Sequence, residues 1–294
     1  MDCVDCRTRR CRVLAALGLF WRWRKAQTGS SQIQIEDVLK HLYTCEIETR
    51  PPTLQSIAGR LQISEDQAAL VLQAALAHGL VQMTNEQLQL TPDGRAYALH
   101  ILRAHRLWER YLADETGYTE TKWHAKAEQY EHLLTPDATE ILASRLGHPL
   151  TDPHGDPIPS ASGDLPDRRG QVLTALAPGH DARIVHIEDE PAAIYAQLVA
   201  EGFYPGMFVK VLEQSQLRSN VWADNDEHVL APIVAAAITV EPVTQFLPAI
   251  PGAASLADLK PPASGRVLGI SPVAPRRAPA LSGSWHPARN TGHC

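Results

Sequence analysis

Five cysteines in 294 residues (Cys3, Cys6, Cys11, Cys45 and Cys294) supply no disulfide framework. Three crowd into the first eleven residues, one falls in an expected helix and one is the last residue, a pattern that suits a reducing cytoplasm. Cys3-x-x-Cys6 has the spacing of half a zinc site, but no second Cys or His pair follows at finger spacing. Net positive charge is missing as well. The 27 Lys and Arg stand against 33 Asp and Glu, net −6, so the chain as a whole does not advertise nucleic-acid binding. Long apolar runs are absent too. The N-terminal stretch Val13–Trp21 is far shorter than the about 20 residues a membrane-spanning helix needs. No small-residue cleavage site follows it, which argues against a cleaved signal peptide. Nothing supplies a nucleophile or an open substrate cleft, so an enzyme, a metallohydrolase included, is not expected.

What is present begins with a basic arm. Residues 1–30 carry Arg7, Arg9, Arg10, Arg12, Arg22, Arg24 and Lys25 against Asp2 and Asp5. The readings open to it are a disordered arm, a weak membrane-surface contact and an arm on DNA phosphates. Residues 33–48 then read as a helix, with Ile35, Val38, Leu39, Leu42 and Tyr43 on one stripe. Pro51-Pro52 stops it. Thr53 caps a short helix, Gln62-Ile63 makes a tight connection, and Ser64 caps a helix that runs to about His78 and ends at Gly79. Helix, short turn and helix have the spacing of a helix-turn-helix. The strand-like pieces Leu80–Met83 and Gln87–Leu90 complete a winged helix.

Thr91-Pro92-Asp93-Gly94 turns the chain into a long helix over about Arg95–Glu115, and another helix is expected over about 120–133. If the latter is continuous, His124, Glu128, Glu131 and His132 fall at i, i+4, i+7 and i+8, two imidazoles and two carboxylates on one face. His105 and Glu109, four apart, lie upstream. Such a set suits a divalent metal, although Glu, Gln and His also populate ordinary solvated helix faces. Thr135-Pro136 starts a further helix ending near Leu146-Gly147, and a proline-rich connector follows over 147–160. From about 171 the pattern changes to short β-rich stretches interrupted by one helix, Ala192–Glu201, which suggests a small SH3-like barrel. Leu173, Leu176, Pro178, Ile184 and Ile187 recur at a constant offset as Leu256, Leu259, Pro261, Val267 and Ile270. Residues 255–271 therefore read as a truncated second copy, and 272–294 as a disordered tail.

The fold class expected is a mainly α N-terminal two-thirds, a winged helix-turn-helix (31–96) and a helical domain carrying the candidate metal donors (97–160), followed by a small all-β SH3-like barrel (171–242). Ile35-Glu36-Asp37, the helix-turn-helix, Ala104-His105-Arg106-Leu107-Trp108-Glu109, His124-x-x-x-Glu128-x-x-Glu131-His132 and Asp152-Pro153-His154-Gly155-Asp156-Pro157-Ile158-Pro159 occur in that order. Together they resemble the diphtheria-toxin-repressor and manganese-transport-regulator family of metal-dependent repressors, over about residues 33–160. That resemblance makes the helical domain (97–160) the metal-binding and dimerisation domain. Residues 171–242 resemble its SH3-like domain, related to the FeoA module of ferrous-iron transport.

The resemblance implies a primary metal site of Asp37, Glu128, Glu131 and His132 and a neighbouring site of His105, Glu109 and His124. Asp37 and Glu128 match the manganese-sensing branch, where the iron-sensing branch has methionine and cysteine, and the ion implied is Mn²⁺ or Fe²⁺. Manganese sensors carry a second acid three residues after the first; here that position is Lys40, which removes one carboxylate. The small barrel of the iron sensors also lends ligands. No match appears near Pro191–Ile194, although Glu188, Asp189 and Glu190 lie close by.

By this resemblance the chain is a homodimeric repressor of metal-uptake genes on palindromic double-stranded DNA. The helix over 64–78 holds no Lys or Arg, so base reading falls to Ser64, Gln67 or Gln73, and phosphate contact to Arg50, Arg60, Arg95 and the basic arm. The alternative is a metal-binding accessory protein of a ferrous-iron transporter with weak or no DNA binding.

Overall fold

A computed structural model describes residues 29–167 and 169–243. The basic arm, the truncated repeat and the C-terminal tail lie outside them. The described chain forms two compact units: residues up to Arg169 together with His186–Gly202, and Gly170–Val185 together with the chain from Phe203 onward.

The first unit is built on α1 (Gly29–Ile47). Its apolar positions Ile35, Val38, Leu39 and Leu42 recur at helical spacing and are all essentially inaccessible to solvent. Burying each such side chain is worth roughly 1.5–3 kcal/mol. Against this stripe pack α2 (Leu54–Leu61), α3 (Glu65–Ala77) and α4 (Pro92–Glu115), through Ile57, Ala68, Ala75, Tyr97, Ala98 and Ile101. Reciprocal capping boxes start both short helices: Thr53 with Ser56, and Ser64 with Gln67. Gln62, left-handed at φ 54°, turns α2 into α3.

After Gly79, itself at φ +68°, β1 (Val81–Thr84) and β2 (Gln87–Leu90) pair antiparallel, Val81 opposite Leu90. Asn85 and Glu86 both take positive φ, as a tight two-residue hairpin requires. The long helix α4 starts at Pro92, not at Arg95. Thr91 accepts from the Gly94 amide as N-cap and Pro92 takes the first turn, so residues expected to form a turn are already helical. Gly94 faces the Leu80 carbonyl so closely that a Cβ there would lie 1.9 Å from its oxygen.

The expected continuous helix over 120–133 is broken into three pieces. A 3₁₀ turn, Glu120–Lys122, leads into α5 (Trp123–Tyr130), and a second 3₁₀ turn holds Glu131–Leu133. α6 (Pro136–Arg145), capped by Thr135, follows and packs on α4 through Leu107, Leu142 and Ala143. The connector then folds around Asp152. Its Oδ1 accepts from the amides of His154 and Asp156, Arg106 of α4 lies against Asp152 and Asp156, and Arg106 donates to the Pro157 carbonyl. The Ile187 amide donates to the His154 carbonyl (2.9 Å), joining segment His186–Gly202, with α7 (Ala192–Ala200), to this unit.

The second unit is all-β apart from the short helix α8 (Pro232–Ala236) and a 3₁₀ turn at Leu173–Ala175. Strands β3 (Gln171–Val172), β4 (Asp181–Ile187), β5 (Phe208–Gln214), β6 (Ser219–Ala223), β7 (Asp226–Leu230) and β8 (Ile238–Pro242) form one sheet in the order β3-β8-β4-β5-β6-β7. Alternate residues point into its core: Ala182 and Ile184, Val209 and Val211, Val221 and Ala223, Ile238 and Val240. The helical region and the SH3-like β module are those expected.

Candidate metal centre

α1 and the 3₁₀ turn after α5 meet at the first cluster. Asp37, Glu131 and His132 each offer a ligand atom within 4.8 Å of the others. His132 Nε2 lies 3.4 Å from Asp37 Oδ1 and 3.6 Å from Glu131 Oε1. The other ring nitrogen, Nδ1, is bound to Glu36, a fully buried carboxylate that also accepts from Gln32 (2.7 Å) and Tyr97. This carboxylate fixes the ring so that Nε2 faces the cluster, the arrangement that orients histidine ligands. Lys40, one turn after Asp37, donates to both oxygens of Glu131 (3.0 and 2.9 Å) and approaches His105 Nδ1 (3.3 Å).

Glu131 also touches His105 and so adjoins the second cluster, formed by His105, Glu109 and His124. Glu109 Oε1 lies 3.0 Å from His105 Nε2 and 3.2 Å from His124 Nδ1. Two further residues converge here. Asp189 reaches His124 Nδ1 (2.6 Å), and His154 Nδ1 stands 3.7 Å from both Glu109 and Asp189. His154 is 1% exposed, between the rings of Trp123 and Tyr195, yet neither of its ring nitrogens has a hydrogen-bond partner. His124 Nε2 is likewise buried without one. Buried imidazole nitrogens that make no hydrogen bond but lie 3.4–3.7 Å from carboxylates fit a divalent cation, and an all-nitrogen and oxygen donor set suits Mn²⁺ or Fe²⁺.

Glu128 is the exception among the acids. It is grouped with His124 and Glu190, not with Asp37, Glu131 and His132, and Arg60 of α2 holds it (3.3 Å) together with Glu190 (2.7 and 2.8 Å).

Burial pushes the Glu131 carboxyl up, but Lys40 and His105 outweigh it and hold it down at about 2. Burial pushes the His132 imidazole down; the carboxylates of Asp37 and Glu36 reverse this and raise it to about 9. His154 reaches about 9 in the same way, through Glu109 against burial. His124 is raised further, burial being overcome by Asp189, Glu109, Glu128 and Glu190. Protons on the imidazoles thus offset the carboxylates, and a metal ion would take their place.

The family described as "Iron dependent repressor, metal binding and dimerisation domain" matches residues 91–160. The iron-dependent repressor IdeR of Mycobacterium leprae is 32% identical over 169 residues, 53% of this chain and 74% of that protein. The chain belongs to the iron-dependent repressor family. IdeR of Mycobacterium bovis is also 32% identical, over 161 residues, 53% of this chain and 66% of that protein, just under two thirds of its length. Among solved structures, a manganese-dependent transcriptional repressor in complex with manganese superposes with a TM-score of 0.66 at 28% identity, covering 71% of this chain and all of that one.

On the family's DNA-binding side, the residues expected to read or hold DNA are mostly engaged within the chain. Ser64 and Gln67 close the α3 capping box, while Gln73 is exposed. Arg50 pairs with Glu48, Arg95 with Glu46, and Arg60 with Glu128 and Glu190. Sequence reasoning missed Glu36 as the partner of His132, and His154 and Asp189 as members of the second cluster. For His154 a signal existed, a histidine in the aspartate- and proline-rich connector; for Asp189 there was only proximity to the expected barrel ligands.

Proposed function

We propose that this chain is a Mn²⁺- or Fe²⁺-responsive transcriptional repressor that binds operator DNA as a homodimer. The observation that carries this reading is the origin of the first cluster. Asp37 stands on α1, the helix that supports the helix-turn-helix, while Glu131 and His132 come from the turn between α5 and α6. A divalent ion held by these three would link the DNA-binding element to the region matched to the metal-binding and dimerisation family, and favour one spacing of the paired recognition helices. Proposed ligands of the first centre are Asp37, Glu131 and His132, with Glu128 available from α5. Those of the second are His105, Glu109 and His124, joined by His154 and Asp189.

Dimerisation is supported by apolar side chains left exposed in that region, Leu133 (65%), Ile141 (71%) and Leu150 (81%). DNA contact is assigned to α3 through Gln73, Ser64 and Gln67, and to phosphates through Arg50, Arg60 and Arg95. Among the described residues no helix is long and apolar enough to cross a membrane.

The test is titration of Mn²⁺ and Fe²⁺ into the protein with a labelled DNA duplex from the region upstream of its own gene, followed by fluorescence anisotropy. The expected result is a rise in DNA affinity of tenfold or more on metal addition, within the roughly 5–150-fold range of allosteric couplings. DNA affinity that stays the same with and without metal overturns the reading.

A further inference from the structure

Lys40 contacts both candidate centres, Glu131 of the first and His105 of the second. Its side chain is 13% exposed, against 1% for the Glu131 side chain it holds. It contacts both Glu131 oxygens, and on its other side it meets His105 Nδ1. Each Glu131 oxygen therefore has two claims on it. Oε1 faces Lys40 and His132 Nε2, and Oε2 faces Lys40 and His105. The contact is largely buried and takes up both carboxylate oxygens. Lys40 stands on α1 and Glu131 on the turn after α5, so the contact crosses the same gap that a metal on Asp37, Glu131 and His132 would cross.

We infer that Lys40 is a resident cation of this centre, tying α1 to the ligand turn in the metal-free chain and competing with a divalent ion for Glu131. The inference deepens the metal-responsive reading above and rests on it. Two consequences follow from charge and geometry. With Glu131 already neutralised, a divalent ion meets less negative potential and must share or displace the ammonium, so metal affinity is lower than the ligand set alone would give. In the metal-free chain this tether would keep part of the α1-to-turn connection that the metal completes. Lys40 is thereby a positioning residue that sets the metal concentration at which the protein responds.

The experiment compares wild type with Lys40→Met, Lys40→Gln and Lys40→Arg. Mn²⁺ affinity is measured by calorimetry, and thermal unfolding is followed in excess chelator. Removing the charge should tighten Mn²⁺ binding about tenfold or more in both neutral variants. In chelator the same variants should melt about 2–4 °C lower, the loss expected for one modest contact in a chain of this size. Lys40→Arg should stay near wild type in both measurements. The Gln variant keeps a polar group at the position, so the comparison survives a poorly folding Met variant. Unchanged or weaker Mn²⁺ binding by folded neutral variants overturns the competition, and unchanged melting in chelator overturns the tether. Failure of wild type and every variant to bind either Mn²⁺ or Fe²⁺ overturns the metal-responsive reading itself and the competition with it, while the chelator melt still decides the tether.

Discussion

His132 is held from both sides, and the two contacts do different work. Glu36 takes Nδ1 and sets the ring, leaving Nε2 toward Asp37 and Glu131. Glu36→Gln should therefore weaken Mn²⁺ binding about 10–100-fold although Glu36 is not itself a proposed ligand, because an amide neither orients the ring nor raises its basicity as a carboxylate does. Calorimetry on a variant whose circular dichroism matches wild type checks this, and undiminished affinity would remove Glu36 from the centre.

The same histidine gives a pH dependence. Its folded-state value, raised to about 9, means that it is protonated at neutral pH, and a metal must displace that proton. Apparent Mn²⁺ affinity should rise with pH across 6.5 to 8.5, by up to about tenfold per unit for each proton released. The metal-free chain should move the other way. A group raised above its unfolded value of about 6.5 contributes stability that is full below that value and is lost as pH climbs through about 9. Paired calorimetry and chelator melts at several pH values read both slopes, and an affinity that falls with pH contradicts the proton competition.

At the scale of elements, caps and turns were legible in the sequence because they rest on local chemistry. Thr53, Ser64 and Thr135 cap helices as their side chains allow, and Gly79 follows α3 with positive φ. Close packing between elements was not legible. Gly94 read as part of a turn, yet it is helical and required by the Leu80 carbonyl beside it. Gly94→Ala should destabilise the first unit by about 1–3 kcal/mol, the range for overpacking, read as a lower urea midpoint with unchanged slope.

The break in the ligand helix was equally hidden, since nothing in Glu131-His132-Leu133 forbids continuing it. The contacts around the break are tertiary: Lys40 and His105 hold Glu131, Glu36 holds His132, and Arg60 holds Glu128 on the other side. Four donors expected on one helical face are thus divided between two clusters. His154 and Asp189 join the second cluster through the Asp152-centred loop and the segment docked on it, a convergence that no spacing rule encodes.

At the scale of the whole molecule the question is how an ion on one part changes what another part binds. If Asp37 is chiefly the link to the DNA-binding element, and Glu131 and His132 chiefly retain the ion, Asp37→Ala and His132→Ala should fail differently. His132→Ala should lose Mn²⁺ binding and the DNA response together. Asp37→Ala should keep most Mn²⁺ affinity, since the second cluster and two ligands of the first remain, while the metal-induced gain in DNA affinity collapses toward onefold. Linkage makes this checkable from the other direction. In wild type, DNA must raise Mn²⁺ affinity by the same factor by which Mn²⁺ raises DNA affinity, and in Asp37→Ala both factors must shrink together. Calorimetric Mn²⁺ titrations with and without duplex, set beside anisotropy titrations with and without Mn²⁺, close the cycle. Equal loss of ion retention and DNA coupling in Asp37→Ala would make Asp37 an ordinary ligand and leave the connection between the two parts to Lys40 and Arg60.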